Sequence, residues 1–365
     1  MKEYNPFARG SFPAGVNSLE FIDQDRSRTL PVECWYPATG SYQGKDLDQD
    51  SQDQFILMPG FPKMRQAAVR AAEKAEGIYP LVIFSHGLAG HRRQTSHFCA
   101  HLASHGYIVA SMDHMGNTMP EILQMALKAQ KQGNASEVLK ELMNSARDRP
   151  IDAVFTVDMI LAGEMGSRID PSRIGITGHS FGGWTTLAAT GLDSRFQAAI
   201  PLAPAGGRSR LDPMSNFFSK GLTLDWNRRV PILFLTAELD SLLPLDGMKD
   251  LFARTPQPKD MVILGNADHF HFCDGVEQTH DLFRKMGGLT FLLDPSGKAG
   301  MDPMKKSKPS SELCPGKDAY LFLQGLGLAH MDAHLKGNPD ALAFLKGDLQ
   351  TLLAGRGITA EVLRG

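Results

Sequence analysis

Ser180 is the residue whose surroundings most favour chemistry in this chain. It lies in the segment 178–183, Gly-His-Ser-Phe-Gly-Gly, after a short apolar run typical of a strand and before a segment typical of a helix. A sharp turn between strand and helix leaves no room for Cβ atoms beside the serine, which explains the glycines, and it exposes the hydroxyl above the sheet. This context favours a nucleophilic serine over an ordinary glycine-rich turn.

Two later segments supply the base and the acid that a serine nucleophile requires. Asp240 follows the apolar run 232–236 by a few residues, and His269 follows the run 261–264 in the same way. Since the carboxyl ends of parallel strands meet at one edge of a sheet, we expect both side chains near Ser180. An imidazole can take the hydroxyl proton and return it to a leaving group, while a carboxylate orients the imidazole. The order serine, aspartate, histidine is that of an α/β-hydrolase triad.

Both partners of the serine have neighbours that could replace them. Glu238 or Asp246 could be the acid, and Asp240 could be an ordinary solvated turn residue. His271 lies two residues beyond His269, and we favour His269 because it is nearer to the end of the strand.

Acyl transfer at a serine also needs two backbone N–H groups that face the developing oxyanion. Phe181, directly after the nucleophile, is predicted to supply one. Leu88 is predicted to supply the other, from the segment 85–88, Ser-His-Gly-Leu, which follows the buried strand predicted at 81–84. Gly87 would allow the backbone to approach the substrate closely.

Three histidines near these groups are assigned, together with Gly87, to the substrate-binding region. His86 belongs to the loop that carries Leu88, and we expect it to order this loop rather than to react. His179 precedes the nucleophile and is expected to be packed or hydrogen-bonded. His114 follows another predicted strand, 107–112, and is placed at the rim.

Composition describes an ordinary globular protein and excludes several functional classes. Of 365 residues, 42% are hydrophobic and 21% charged. The net charge of −2 does not indicate a basic surface that would bind nucleic acid or an anionic membrane. No apolar run reaches the roughly 20 residues that span a bilayer. The first residues lack the apolar core of a secretory signal, so we expect a cytoplasmic protein unless a leader was removed.

We expect no metal and no cofactor, and the sequence leaves the oligomeric state open. The four cysteines contain no Cys-x-x-Cys pair. His330 and His334 are four residues apart on a predicted helix, but no third ligand is evident, so we interpret them as a surface face.

Apolar runs that alternate with helical segments predict an α/β fold, with a mainly parallel sheet flanked by helices. An antiparallel hairpin at a sheet edge is predicted within 15–37, and an alanine-rich helix at 65–76. Pro150 is interpreted as the first residue of an amphipathic helix that continues to Leu161, and 339–353 as one helix.

Three segments interrupt this alternation and are predicted to be insertions. They are a lid-like, methionine-rich pair of short helices at 115–147, a loop or small cap at 205–229, and a loop-rich segment at 284–315. Since no linker is long enough to separate two units, we expect 1–365 to form one domain.

The motifs at 85–88 and 178–183 resemble the platelet-activating-factor acetylhydrolase and dienelactone-hydrolase-like branch of the α/β hydrolases. The resemblance covers about residues 15–345 and includes the segments 30–37 and 102–107. It implies that Ser180 is the nucleophile, that Leu88 and Phe181 supply the oxyanion N–H groups, and that the chain is a serine esterase.

The chain departs from this branch in two ways. Plasma acetylhydrolases take their acid from just after the strand that follows the elbow, where this chain has 201–204, Pro-Leu-Ala-Pro, without a carboxylate. The position of Asp240 instead resembles that of bacterial polyester hydrolases and cutinase-like enzymes. Dienelactone hydrolases proper use a cysteine nucleophile, so Ser180 argues against that reaction.

The residues favour a hydrolase of short to medium acyl esters that works through an acyl-enzyme. A serine amidase or peptidase on the same fold and a non-catalytic α/β-hydrolase scaffold are the alternatives. Related hydrolases often carry a cysteine pair around the histidine loop, so Cys273 and Cys314 are either bridged or free.

Overall fold

The computed structural model describes residues 4–57, 63–132, 136–209, 215–286, 304 and 307–365. Its strands are β1 (Ala14–Asp23), β2 (Arg28–Pro37), β3 (Asp53–Phe55), β4 (Met64–Gln66), β5 (Val69–Arg70), β6 (Tyr79–Ser85), β7 (Ile108–Met112), β8 (Ile169–His179), β9 (Phe196–Leu202), β10 (Ile232–Ala237), β11 (Lys259–Leu264) and β12 (Ala360–Arg364). Its helices are α1 (Ser96–Ser104), α2 (Met119–Gln132), α3 (Ser136–Ala162), α4 (Phe181–Leu192), α5 (Ser215–Lys220), α6 (Leu245–Arg254), α7 (Val276–Met286), α8 (Gly316–Leu335), α9 (Pro339–Lys346) and α10 (Leu349–Ala354).

Within the described ranges, ten strands form one sheet in the order β12-β11-β10-β9-β8-β6-β7-β2-β1-β5. The strands from β11 through β10, β9, β8 and β6 to β7 are mutually parallel. All residues of β6, β7 and β10 are buried, as expected of parallel strands covered on both faces. The carboxyl ends of these strands meet at one edge, which confirms the predicted α/β class and defines where a site can form.

The hairpin predicted near the start of the chain is present, but the helix predicted at 65–76 is wrong. β1 and β2 pair antiparallel and lie near the sheet edge. Residues 65–76 contain β4 and β5 instead of a helix. Arg70 explains the difference: it bonds to Glu33 at 2.6 Å and to Asp53 at 2.7 Å, and these tertiary ion pairs outweigh the weak helix propensity of the alanines.

Pro150 does not begin a helix, because α3 continues through it from Ser136 to Ala162. The residues on either side hold this helix to the protein: Arg149 donates to Asn117, and Asp152 accepts from Arg28. These contacts compensate for the hydrogen bond that a proline removes from a helix. The described part of the predicted insertion at 115–147 therefore contains α2 and the first part of α3.

The C-terminal region also differs from the prediction. The helix predicted at 339–353 is divided into α9 and α10 around Gly347, and the unpredicted β12 pairs antiparallel with β11. His330 is buried and donates to Pro231 O at 3.2 Å, so it is not part of a surface face. Most of the predicted insertion at 284–315 lies outside the described residues, and none of the helices described is long and apolar enough to cross a bilayer.

Candidate active site

Ser180 occupies the sharp turn that joins β8 to α4. Its φ of 61° and ψ of −116° are unusual for a residue with a side chain, and its amide donates to Leu202 O at 2.8 Å. A Cβ atom at Gly182 would lie 1.9 Å from Ser85 O, so only glycine fits there. Backbone strain of this kind persists where the surrounding structure enforces it, often at functional sites.

His269 and Asp240 form a buried hydrogen-bonded pair. His269 begins a short 3₁₀ turn after β11, and its Nδ1–H donates to Asp240 Oδ2 at 2.7 Å. The other carboxylate oxygen accepts the amides of Leu242 and Leu243 at 3.0 and 2.7 Å. Burial raises the pKa of Asp240, and the adjacent His269 opposes this effect. The carboxylate is thus held in one orientation.

His179 joins the serine turn to the histidine turn. Its Nε2–H donates to His269 O at 2.9 Å, and the two rings lie 4.6 Å apart between centroids. The structure therefore brings the turn that carries Ser180 next to the turn that carries His269.

The alternative residues are engaged elsewhere. His271 accepts the amide of Asp268 at 3.0 Å and donates to Cys314 O at 3.0 Å, so it stabilises its own loop. Glu238 accepts the amide of Asn266 at 2.7 Å. Asp246 accepts the hydroxyl of Ser209 at 3.0 Å in the first turn of α6. None of these three side chains pairs with His269.

The backbone N–H groups of Leu88 and Phe181 donate no hydrogen bond to another described residue. Their loops are adjacent, because a Cβ atom at Gly87 would lie 3.3 Å from Ser180 Cβ. Gly87 donates its own amide to Gln94 Oε1 at 2.7 Å, which fixes the His86–Gly87 peptide.

The three histidines assigned to substrate binding are buried, and their ring nitrogens bond within the protein. His86 and His114 have no exposed surface, and His179 is 1% exposed. His86 donates to Gly87 O at 2.7 Å and accepts the amide of His114 at 3.1 Å. Because their ring nitrogens are bonded within the protein, these residues order the surrounding loops, as expected for His86 and His179.

A polar network that no sequence motif predicts lies beneath the loop that carries Leu88. Gln94 donates to His179 Nδ1 at 3.2 Å and to Cys273 Sγ at 3.1 Å, so it connects three loops of the site. Arg149 and Asp152, on α3, contact the same region from below. No local motif marks such residues.

The chain is similar in sequence to several known proteins. The family model described as "Platelet-activating factor acetylhydrolase, isoform II" matches residues 21–137, and that of the "Prolyl oligopeptidase family" matches residues 151–268. The platelet-activating factor acetylhydrolase of Cavia porcellus is 25% identical over 325 residues, covering 79% of this chain and 70% of that protein. Cutinase 2 of Thermobifida cellulosilytica is 28% identical over 168 residues, covering 46% of this chain and 50% of that protein.

A solved structure shows the same fold over nearly the whole chain. The ferulic acid esterase from Streptomyces cinnamoneus superposes with a TM-score of 0.64 and 22% identity, covering 98% of each chain. The protein therefore has the α/β-hydrolase fold. Together with the sequence relatives, this confirms the predicted assignment, a serine esterase of this fold.

Proposed function

We propose that this protein hydrolyses carboxylic esters with short to medium acyl chains through an acyl-enzyme on Ser180. The observation that carries the proposal is the 2.7 Å hydrogen bond between His269 and Asp240, located beside a strained serine turn. The relatives named acetylhydrolase, cutinase and ferulic acid esterase support ester chemistry, and the first name supports a short acyl group.

The first half of the reaction forms the acyl-enzyme. Nε2 of His269 accepts the hydroxyl proton as Ser180 Oγ bonds to the ester carbonyl carbon, and Asp240 stabilises the resulting imidazolium. The carbonyl oxygen becomes negative and accepts hydrogen bonds from the backbone N–H groups of Leu88 and Phe181. The tetrahedral intermediate then releases the alcohol, which takes the proton from His269.

The second half returns the enzyme to its starting state. His269 accepts a proton from water as the water oxygen bonds to the acyl carbon, and the same N–H groups stabilise the second oxyanion. The intermediate breaks its bond to Ser180 Oγ, which recovers its proton from His269, and the carboxylic acid leaves. Every proton and charge in this sequence is handled by a protein group, so the proposal requires no metal.

A p-nitrophenyl ester series of increasing acyl length tests the proposal. We expect turnover to be highest for short or medium chains and unaffected by excess EDTA. Ser180→Ala should lose several orders of magnitude in kcat, and Asp240→Asn should lose somewhat less. A preference for p-nitroanilides over matched esters would indicate an amidase instead.

Covalent labelling locates the nucleophile independently. An organophosphate should modify the Ser180 peptide of the wild-type protein, as read by mass spectrometry, and should leave Ser180→Ala unmodified. Absence of both labelling and ester turnover would favour the non-catalytic scaffold. The cytoplasmic location remains a proposal, tested by fractionation of the source cells.

A further inference from the structure

Arg149 is a completely buried cation whose hydrogen bonds go to neutral oxygens. They run to Thr185 Oγ1 at 3.0 Å, Asn117 Oδ1 at 2.7 Å, Ser85 Oγ at 3.2 Å and the His86 carbonyl. Burial lowers the pKa of Arg149 to about 9, so the guanidinium is charged at neutral pH. Burying an arginine without a directly bonded carboxylate is costly, which calls for a role beyond packing.

One end of this guanidinium holds the loop that carries Leu88. Arg149 bonds directly to the His86 carbonyl, two residues before Leu88. Through Asn117 it also reaches the other side of Leu88, because Asn117 O accepts the amide of Ala89 at 2.9 Å. Leu88 therefore lies between two points that Arg149 fixes.

The other contacts of Arg149 hold the turn that carries Phe181. The guanidinium carbon lies 4.4 Å from the centroid of the Phe181 ring, a stacking distance. Thr185, which accepts from Arg149 Nε, donates its hydroxyl to Phe181 O at 2.9 Å. Arg149 thus contacts the ring of Phe181 directly and the carbonyl of Phe181 through Thr185.

A second Ser-His-Asp arrangement anchors Arg149 from below but is not suited to catalysis. Ser85 donates to His114 Nε2 at 2.8 Å, and His114 Nδ1–H donates to Asp152 at 3.0 Å. Burial and the charge of Arg149 lower the pKa of His114 to about 3, so this imidazole is a poor proton acceptor. All three side chains are fully buried, and their hydrogen bonds fix Ser85 against Arg149.

On the basis of the proposed function, we propose that Arg149 is a positioning residue that sets the separation of the two oxyanion donors, Leu88 and Phe181. A planar guanidinium can stack on a ring while its N–H groups bond sideways, and lysine cannot do both. Displacement of a catalytic group by about 1 Å can cost about 10²-fold in rate, so a small relaxation of either loop has a large effect.

The test compares Arg149→Lys and Arg149→Met with the wild type on a p-nitrophenyl ester. Each rate is divided by the concentration of Ser180 that the organophosphate labels, so misfolded molecules do not affect the comparison. We expect kcat to fall about 10²-fold while KM changes less than about threefold. The inhibition constant of a trifluoromethyl ketone, which forms a charged tetrahedral adduct, should rise by the same factor as kcat/KM falls.

Arg228 provides a matched control at the far end of α4. It donates to the carbonyls of Phe196, Thr190 and Asp193 at 2.6, 2.7 and 2.9 Å, so it also holds loops together through backbone oxygens. Arg228→Met should lower Tm and leave kcat per reactive Ser180 unchanged. Equal kcat losses in the Arg228 and Arg149 variants, or none in either, would overturn the proposal.

A second measurement applies if Arg149→Met does not fold. Phe181→Leu keeps the backbone donor but removes the stacked ring. Adding Phe181→Leu to Arg149→Lys should therefore lower kcat/KM by a smaller factor than adding it to the wild type. Additive losses would contradict the proposal. If the wild type is inactive and is not labelled by the organophosphate, the proposed function is overturned as well. If the wild type is active and labelled, and the Arg149 variants have the wild-type kcat, only this inference is overturned.

Discussion

His269 donates its Nδ1 proton to Asp240 across 2.7 Å, although 29 residues separate the two in the chain. The pair forms because β10 and β11 are adjacent and parallel, so the loops after them leave the sheet at the same edge. His271, only two residues from His269, bonds instead to its own loop and to Cys314.

This difference predicts opposite outcomes for two neighbouring histidines. His269→Ala should reduce kcat by about 10³-fold or more, because the base is removed, whereas His271→Ala should reduce it less than about tenfold. Steady-state kinetics on one ester, with Tm measured for both variants, checks this. An active His269→Ala beside an inactive, folded His271→Ala would contradict the assignment.

The tight contact at Gly182 predicts a large stability effect from a single methyl group. Gly182→Ala would place Cβ 1.9 Å from Ser85 O, whereas a Cβ at Gly40 meets no atom within 4 Å. We expect Gly182→Ala to lower the free energy of unfolding by about 3 kcal/mol or more, or to prevent soluble expression. Gly40→Ala should change it by less than about 0.5 kcal/mol. Similar urea midpoints for the two variants would show that the turn can relax.

Asp274 predicts a pH dependence of stability whose sign follows from its environment. It accepts the amides of Ser96 and His97 at the start of α1, yet burial raises its pKa to about 6. The folded state therefore binds this proton more tightly than the unfolded state does. The contribution of Asp274 to stability is greatest below about pH 4, decreases up to about pH 6, and is constant above it.

Asp274→Asn should remove this dependence. Relative to the wild type, the variant should become more stable as the pH rises from 4 to 7, in a series of thermal unfolding experiments. Asp281 is the control of opposite sign, because hydrogen bonds from Ser310 lower its pKa. Asp281→Asn should therefore become less stable relative to the wild type as the pH rises to about 4, and the difference should change little from about pH 5 to 7. A pH-independent difference for Asp274→Asn would contradict the prediction.

The cysteines are predicted to be free thiols. Cys273 and Cys314, for which a bridge was one alternative, are both free in the structure, as are Cys34 and Cys99. Thiol titration in denaturant without reductant should count four, and in native buffer the half-buried Cys314 should react before the three buried thiols. Two thiols in denaturant, with a peptide that links Cys273 to Cys314, would show the bridge instead.

The sequence by itself determined the serine turn, the order of the triad candidates and the parallel core. These features have local signals: a buried strand is a continuous apolar run, and a tight turn before a helix requires glycine. The side chains that follow such strands could be located because parallel strands end at one edge.

Only the tertiary structure decided which side chains support these residues. Arg149 contacts His86 across 63 positions in the chain and Thr185 across 36, and no local pattern encodes such pairs. The alanine-rich segment at 65–76 likewise contains strands rather than the predicted helix, because Arg70 forms ion pairs with Glu33 and Asp53. The burial of His86, His114 and His179 was likewise decided by packing. Local sequence sets turns and strands, whereas buried charges and hydrogen bonds depend on neighbours that only folding brings together.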